Sequence, residues 1–187
     1  MSANALAKKH ALNAITAALC GIAFWQLGFA PELPAVLTFI FGGVLLSVID
    51  WKVHRLPTRL VYYTLAGVTA GLVFASLVEW DWVPLATALF GAMLFANAFF
   101  LIWYVGRNFA GVMLIGFGDV RLAALLGLVL GWYGLPYVLY GAIAGNILAM
   151  VVVIATCIYK RKLQMRYSFG PPLMAGTLAV VLFHGRV

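Results

Sequence analysis

Apolar runs of about 20 residues, broken by short polar clusters, recur along this 187-residue chain. A helix crossing a bilayer needs ~20 apolar residues, and no open sheet can satisfy its backbone hydrogen bonds in lipid. The pattern therefore predicts an all-α, polytopic bundle embedded in the lipid bilayer. Composition agrees, with 65% hydrophobic residues and 9% charged ones, where a soluble domain carries roughly a quarter charged residues. A soluble globular enzyme, a disordered chain and a disulfide scaffold are excluded. The length leaves room for six or seven spans within a single domain, residues 1–187, and for no sizeable domain outside the membrane.

Seven apolar segments can be marked: 11–30, 34–51, 60–78, 83–105, 119–133, 136–159 and 170–185. The first begins behind Lys8, Lys9 and His10 and ends at a turn, Pro31-Glu32-Leu33-Pro34; it is long enough to be a retained spanning helix rather than a removed signal. The fifth is short: at ~1.5 Å per residue it reaches only ~22 Å of a ~30 Å hydrocarbon core. It needs shielding by neighbouring helices, or extension by the apolar residues from Phe109 onward. Seven spans is the expectation.

The net charge of +7 does not point to nucleic acid, because the basic residues lie in small clusters between apolar runs. With the N-terminus inside, eleven of the twelve Lys and Arg fall on the inner side and only Arg186 falls outside. That asymmetry orients the chain with a cytoplasmic N-terminus in the inner (cytoplasmic) membrane. Cys20 and Cys157 stand alone in apolar segments and read as packing residues; His10 and His184 lie at helix ends.

Of the five acids, Glu32, Glu79 and Asp81 fall in outer turns, where solvation accounts for them. Asp50 and Asp119 fall at the inner ends of apolar helices, where an ionisable group is costly. Taken singly, Asp50 could pair with Lys52 or Arg55, and Asp119 could cap the helix that follows it. Taken together, two acids at one membrane depth suggest a pair. Two close aspartates do not comfortably both ionise, so one keeps a proton while the other acts as base. Such a pair can activate a water against a peptide carbonyl and protonate the leaving amine. That chemistry needs no metal or other cofactor. A weighed alternative places a metal on Asp50, His54 and Asp119. Gly116 and Gly118 would permit unusual backbone angles and close approach of a substrate backbone. Gly67, Gly71, Gly141 and Gly145 have the small-xxx-small spacing of helix packing, and Asn97 and Asn146 read as interhelical hydrogen bonds.

Three stretches carry a resemblance to a known family. Asp50 is followed by Leu56-Pro57, Gly116-Phe117-Gly118-Asp119-Val120-Arg121-Leu122 looks like a GxGDxKL motif, and Phe169-Gly170-Pro171 opens the last segment. In this order they resemble the membrane aspartyl peptidases that cleave type IV prepilins and archaeal preflagellins. The resemblance implies that Asp50 and Asp119 are the catalytic pair, with Gly116, Gly118 and Arg121 supporting them. It implies prepilin-like or pseudopilin-like substrates whose basic leader is cut at the cytoplasmic face, with Gly on the leader side of the scissile bond. The chain departs from the family's pattern at Thr58, where Asp or Asn is usual after Leu-Pro, and at Arg121, where Lys is usual. It also lacks the Cys-rich zinc domain of bifunctional members, so it resembles the short, peptidase-only form with no methyltransferase activity.

Two other functions compete. A small ion- or proton-coupled transporter or channel could use the same two aspartates, though no duplicated segment supports it. A presenilin-type peptidase would place Tyr before its first aspartate, where this chain has Ile49.

Overall fold

The computed structural model describes residues 3–53, 57–108, 116–160 and 170–184. Among them the chain forms seven helices and no strand: α1 (Ala3–Leu27), α2 (Leu33–Val53), α3 (Thr58–Glu79), α4 (Val83–Asn108), α5 (Phe117–Trp132), α6 (Leu135–Lys160) and α7 (Gly170–His184). The protein is an all-α membrane helix bundle. Helices α2, α3, α4 and α6 each carry a stretch long and apolar enough to cross a bilayer. The apolar parts of α1 (Leu12–Leu27) and α7 (Gly170–Phe183) are shorter.

Local chemistry sets the turns. α1 starts eight residues before the expected segment, taking Lys8 and Lys9 into the helix, because the Ala-rich stretch favours helix on both sides of them. It stops where Gly28 takes φ +59° and returns its N–H to the Phe24 carbonyl at 2.8 Å, the left-handed cap that glycine adopts without steric cost. Trp80 ends α3 with φ 55°, and the Asp81 carboxylate then accepts the Val83 N–H at 2.9 Å. Asp81 is thus a helix cap as well as a solvated loop acid.

The short α5 is the centre of the bundle. Val120, Leu122, Ala123 and every residue of 125–132 are buried, which is how an all-round apolar helix of ~24 Å is accommodated. Shielding by neighbours is therefore the answer to its length; residues 109–115 lie outside the described set. Glycine lets α4 and α5 approach to backbone contact. A Cβ on Gly91 would sit 2.7 Å from the Gly127 carbonyl oxygen, and one on Gly131 would sit 2.6 Å from that of Thr87. In lipid, where burial against a neighbour removes no water, such close packing holds helices together.

The expected packing glycines behave the same way. Gly67 and Gly71 of α3 lie against Thr38 and Ala35 of α2, Gly141 of α6 against Leu130 of α5, and Gly145 of α6 against Leu173 of α7. Asn97 and Asn146 correct the expectation. Each donates from Nδ2 to the carbonyl four residues back in its own helix, Met93 at 2.8 Å and Ala142 at 2.9 Å, and both side chains face outward.

Candidate active site

The end of α2 and the starts of α3, α5 and α7 lie at one end of the bundle. Asp50 lies in the last turn of α2 and is 5% exposed. The first residue of α7, Gly170, donates its backbone N–H to Asp50 Oδ2 at 3.2 Å. The next two residues, Pro171 and Pro172, have no N–H to give. The positive end of the α7 dipole thus faces the carboxylate. A Cβ at 170 would fall 2.7 Å from Asp50 Oδ2, so a larger residue displaces the carboxylate, and 3.6 Å from a methyl of Leu122 on α5. Leu122 stands one turn beyond Asp119, so α7 wedges its start between the two helices that carry the aspartates.

Asp119 is the third residue of α5, not a residue preceding it. Its Oδ2 reaches back to accept the Gly116 N–H at 3.1 Å, while its own N–H donates to the Gly116 carbonyl at 3.0 Å. The carboxylate satisfies an orphan amide at the helix start, as a capping-box acid does. The helix-cap role considered for Asp119 is therefore present, from inside the first turn. Asp119 also lies within electrostatic reach of Asp50. Each carboxylate accepts a backbone amide at a helix N-terminus.

The flanking glycines differ from expectation. Gly116 takes φ −77° and ψ 150°, a conformation open to any residue, and Gly118 is not among the positive-φ glycines. A Cβ on Gly116 would meet little beyond Asp119 Oδ2, at 3.5 Å. What Gly116 provides is exposed open space beside the carboxylate.

Arg121 turns toward α3. Its guanidinium donates to the Thr58 hydroxyl at 2.5 Å and lies 4.8 Å from the Phe117 ring centroid and 5.7 Å from that of Tyr62. Phe117 packs edge-on against Trp103 of α4, over which Arg107 sits in turn. Thr58 and Arg121, the two positions at which the chain departs from the motif pattern, are direct partners. Tyr62 and Trp103 carry no signal in the sequence, and Thr58 shows there only as a departure from the motif. His54, the third member of the weighed metal set, and Phe169 of the last motif lie outside the described residues.

The opposite end of the bundle has another character. Glu79 and the half-buried Tyr133 each lie within electrostatic reach of Glu32 there, whereas Arg59, Arg107 and Arg121 belong to the aspartate end.

An all-helical membrane bundle with two carboxylates gathered at one end is the class that fold and site define. Residues 36–159 match the model of the type IV leader peptidase family, and the chain belongs to that family. The matched stretch includes Asp50 and Asp119. Among relatives, the prepilin leader peptidase/N-methyltransferase of Dickeya chrysanthemi is 34% identical over 174 residues, 91% of this chain and 57% of that protein. Its namesake in Burkholderia pseudomallei (strain K96243) is 34% identical over 161 residues, 83% and 48%. That of Klebsiella pneumoniae is 37% identical over 112 residues, 59% and 47%. The chain spans about half the length of the curated relatives it matches. No solved structure matches it.

Proposed function

We propose that this chain is a membrane aspartyl endopeptidase that removes the basic leader from prepilin-like or pseudopilin-like proteins. The observation that supports the reading is that Asp50 and Asp119 lie at one end of the bundle, each accepting a helix-start amide, with Asp119 within electrostatic reach of Asp50. With one carboxyl protonated and one ionised, the ionised member takes a proton from a water held between them. That water attacks the scissile carbonyl, which the protonated member polarises. The amine then leaves with a proton returned from the pair. The exposed space at Gly116 is where an extended peptide reaches Asp119.

The site is read as facing the cytoplasm, with the N-terminus inside. Eleven of the twelve basic residues then fall on the inner side, and Arg59, Arg107 and Arg121 share the aspartate end while Glu32 and Glu79 share the other. A substrate whose basic leader stays inside by the same rule presents its leader–helix junction at the depth of the two aspartates. Since the enzyme's inner face is itself basic, packing of the substrate's apolar helix, rather than charge attraction, is the recognising force.

The test is cleavage of a prepilin-type substrate in vesicles, with N-terminal sequencing of the product. The expected cut falls at the basic–apolar junction after Gly, unaffected by EDTA. A cut far from that junction overturns the substrate assignment. Loss of activity in EDTA that a divalent ion restores favours the metal set over the carboxyl pair. Cysteine labelling at position 59, in a background lacking Cys20 and Cys157, tests orientation: labelling from outside overturns it.

A further inference from the structure

The guanidinium of Arg121 makes three contacts with two helices. It donates to Thr58 at the first residue of α3, lies on Tyr62 one turn further along α3, and lies on Phe117 one turn back along its own helix. Arg121 follows Asp119 by two residues in α5. Thr58 opens the helix that follows α2, whose last turn carries Asp50. One planar cation therefore ties α5, which bears Asp119, to α3, which packs along α2, the helix of Asp50. We infer that Arg121 and Thr58, with Tyr62 and Phe117 closing over the guanidinium, form a clamp that sets the separation of the two carboxylates. The inference rests on the carboxyl-pair reading of the site.

The chemistry suits arginine and a neutral acceptor. Guanidinium is planar, stays charged, and stacks on rings while its N–H groups still donate, which an ammonium does not do as well. A hydroxyl opposite it adds no charge beside the aspartates. A shift of about 1 Å between reacting groups costs on the order of 10²-fold in rate. Arg121 and Thr58 are accordingly positioning residues: their loss lowers kcat and leaves substrate binding unchanged.

The experiment measures kcat and KM for a prepilin-type substrate in vesicles. Thr58→Val removes the hydroxyl with little change of shape at an exposed position, so folding is kept. It is expected to lower kcat about 10-fold at unchanged KM, and Thr58→Ser to restore most of it. Arg121→Met is expected to lower kcat by about 10- to 100-fold, with the double variant no worse than Arg121→Met alone. Wild-type kcat in Thr58→Val, losses that multiply in the double variant, or a raised KM at constant kcat would each overturn the clamp. If Arg121→Met does not accumulate, the Thr58→Val and Thr58→Ser pair decides alone. Asp50→Asn and Asp119→Asn run beside them: cleavage by either ends the carboxyl-pair reading itself. Two inactive Asn variants with an unimpaired Thr58→Val reject the clamp only.

Discussion

The backbone N–H of Gly170 donates to Oδ2 of Asp50 at 3.2 Å, across 120 residues of sequence. The contact brings the start of the last helix onto the end of the second and leaves no room for a side chain. In Gly170→Ala the new methyl would stand 2.7 Å from the carboxylate oxygen, closer than such atoms approach, so the carboxylate must turn away. The protein is expected to accumulate normally, because the displaced group is one carboxylate and not a helix, while cleavage falls on the order of 10²-fold. Rates and protein levels measured together check this. Wild-type cleavage by Gly170→Ala would contradict it.

Gly127 tests the bundle rather than the site. A Cβ there would collide with the Gly91 carbonyl of α4, whereas Gly21 of α1 has nothing within 4 Å. Gly127→Val forces the central helix α5 away from α4 and should cost about 1–3 kcal/mol or more. Gly21→Ala should be neutral or gain up to ~1 kcal/mol from helix propensity. Thermal unfolding of the two purified variants in detergent checks the contrast, and equal stability of both would contradict the packing.

At the other end, burial pushes the Glu32 carboxyl above its ordinary value. The Glu79 charge adds to the shift, and a hydrogen bond to Glu32's own backbone opposes it. A raised folded pKa means that the native state binds the proton more tightly than the unfolded one. Stability then falls as pH rises from the unfolded value through the folded one. Glu32→Gln should therefore be more stable than wild type at neutral pH, with the difference vanishing below about pH 4. Melting temperatures at several pH values read this out, and a difference that grows toward acid would have the wrong sign.

Much of the architecture is legible from apolar run length alone, since lipid leaves the backbone no other arrangement. The Pro31–Pro34 turn and the packing role of Gly67, Gly71, Gly141 and Gly145 are legible too. The start of α5 is not: the apolar segment is marked from 119, yet the helix begins at Phe117 and Asp119 caps the Gly116 amide. Asn97 and Asn146 show why polarity does not give direction, because an amide can bond its own helix and still face outward. The Arg121–Thr58 hydrogen bond joins residues 63 apart. Nothing in the local pattern of either predicts it. Asp50 and Asp119 are legible by position, as acids on the side of the membrane otherwise basic, and by their motifs.

The central claim is that Asp50 and Asp119 act as one proton-transferring pair. The most direct measurement is the rate of leader cleavage by Asp50→Asn and Asp119→Asn at matched protein levels in membranes. Asn keeps the shape and can still accept a hydrogen bond, but it cannot exchange the proton. Each variant is expected to lose at least 10²–10⁴-fold in rate, and the double variant to be no slower than either single one. Substantial cleavage by either single variant would contradict the account.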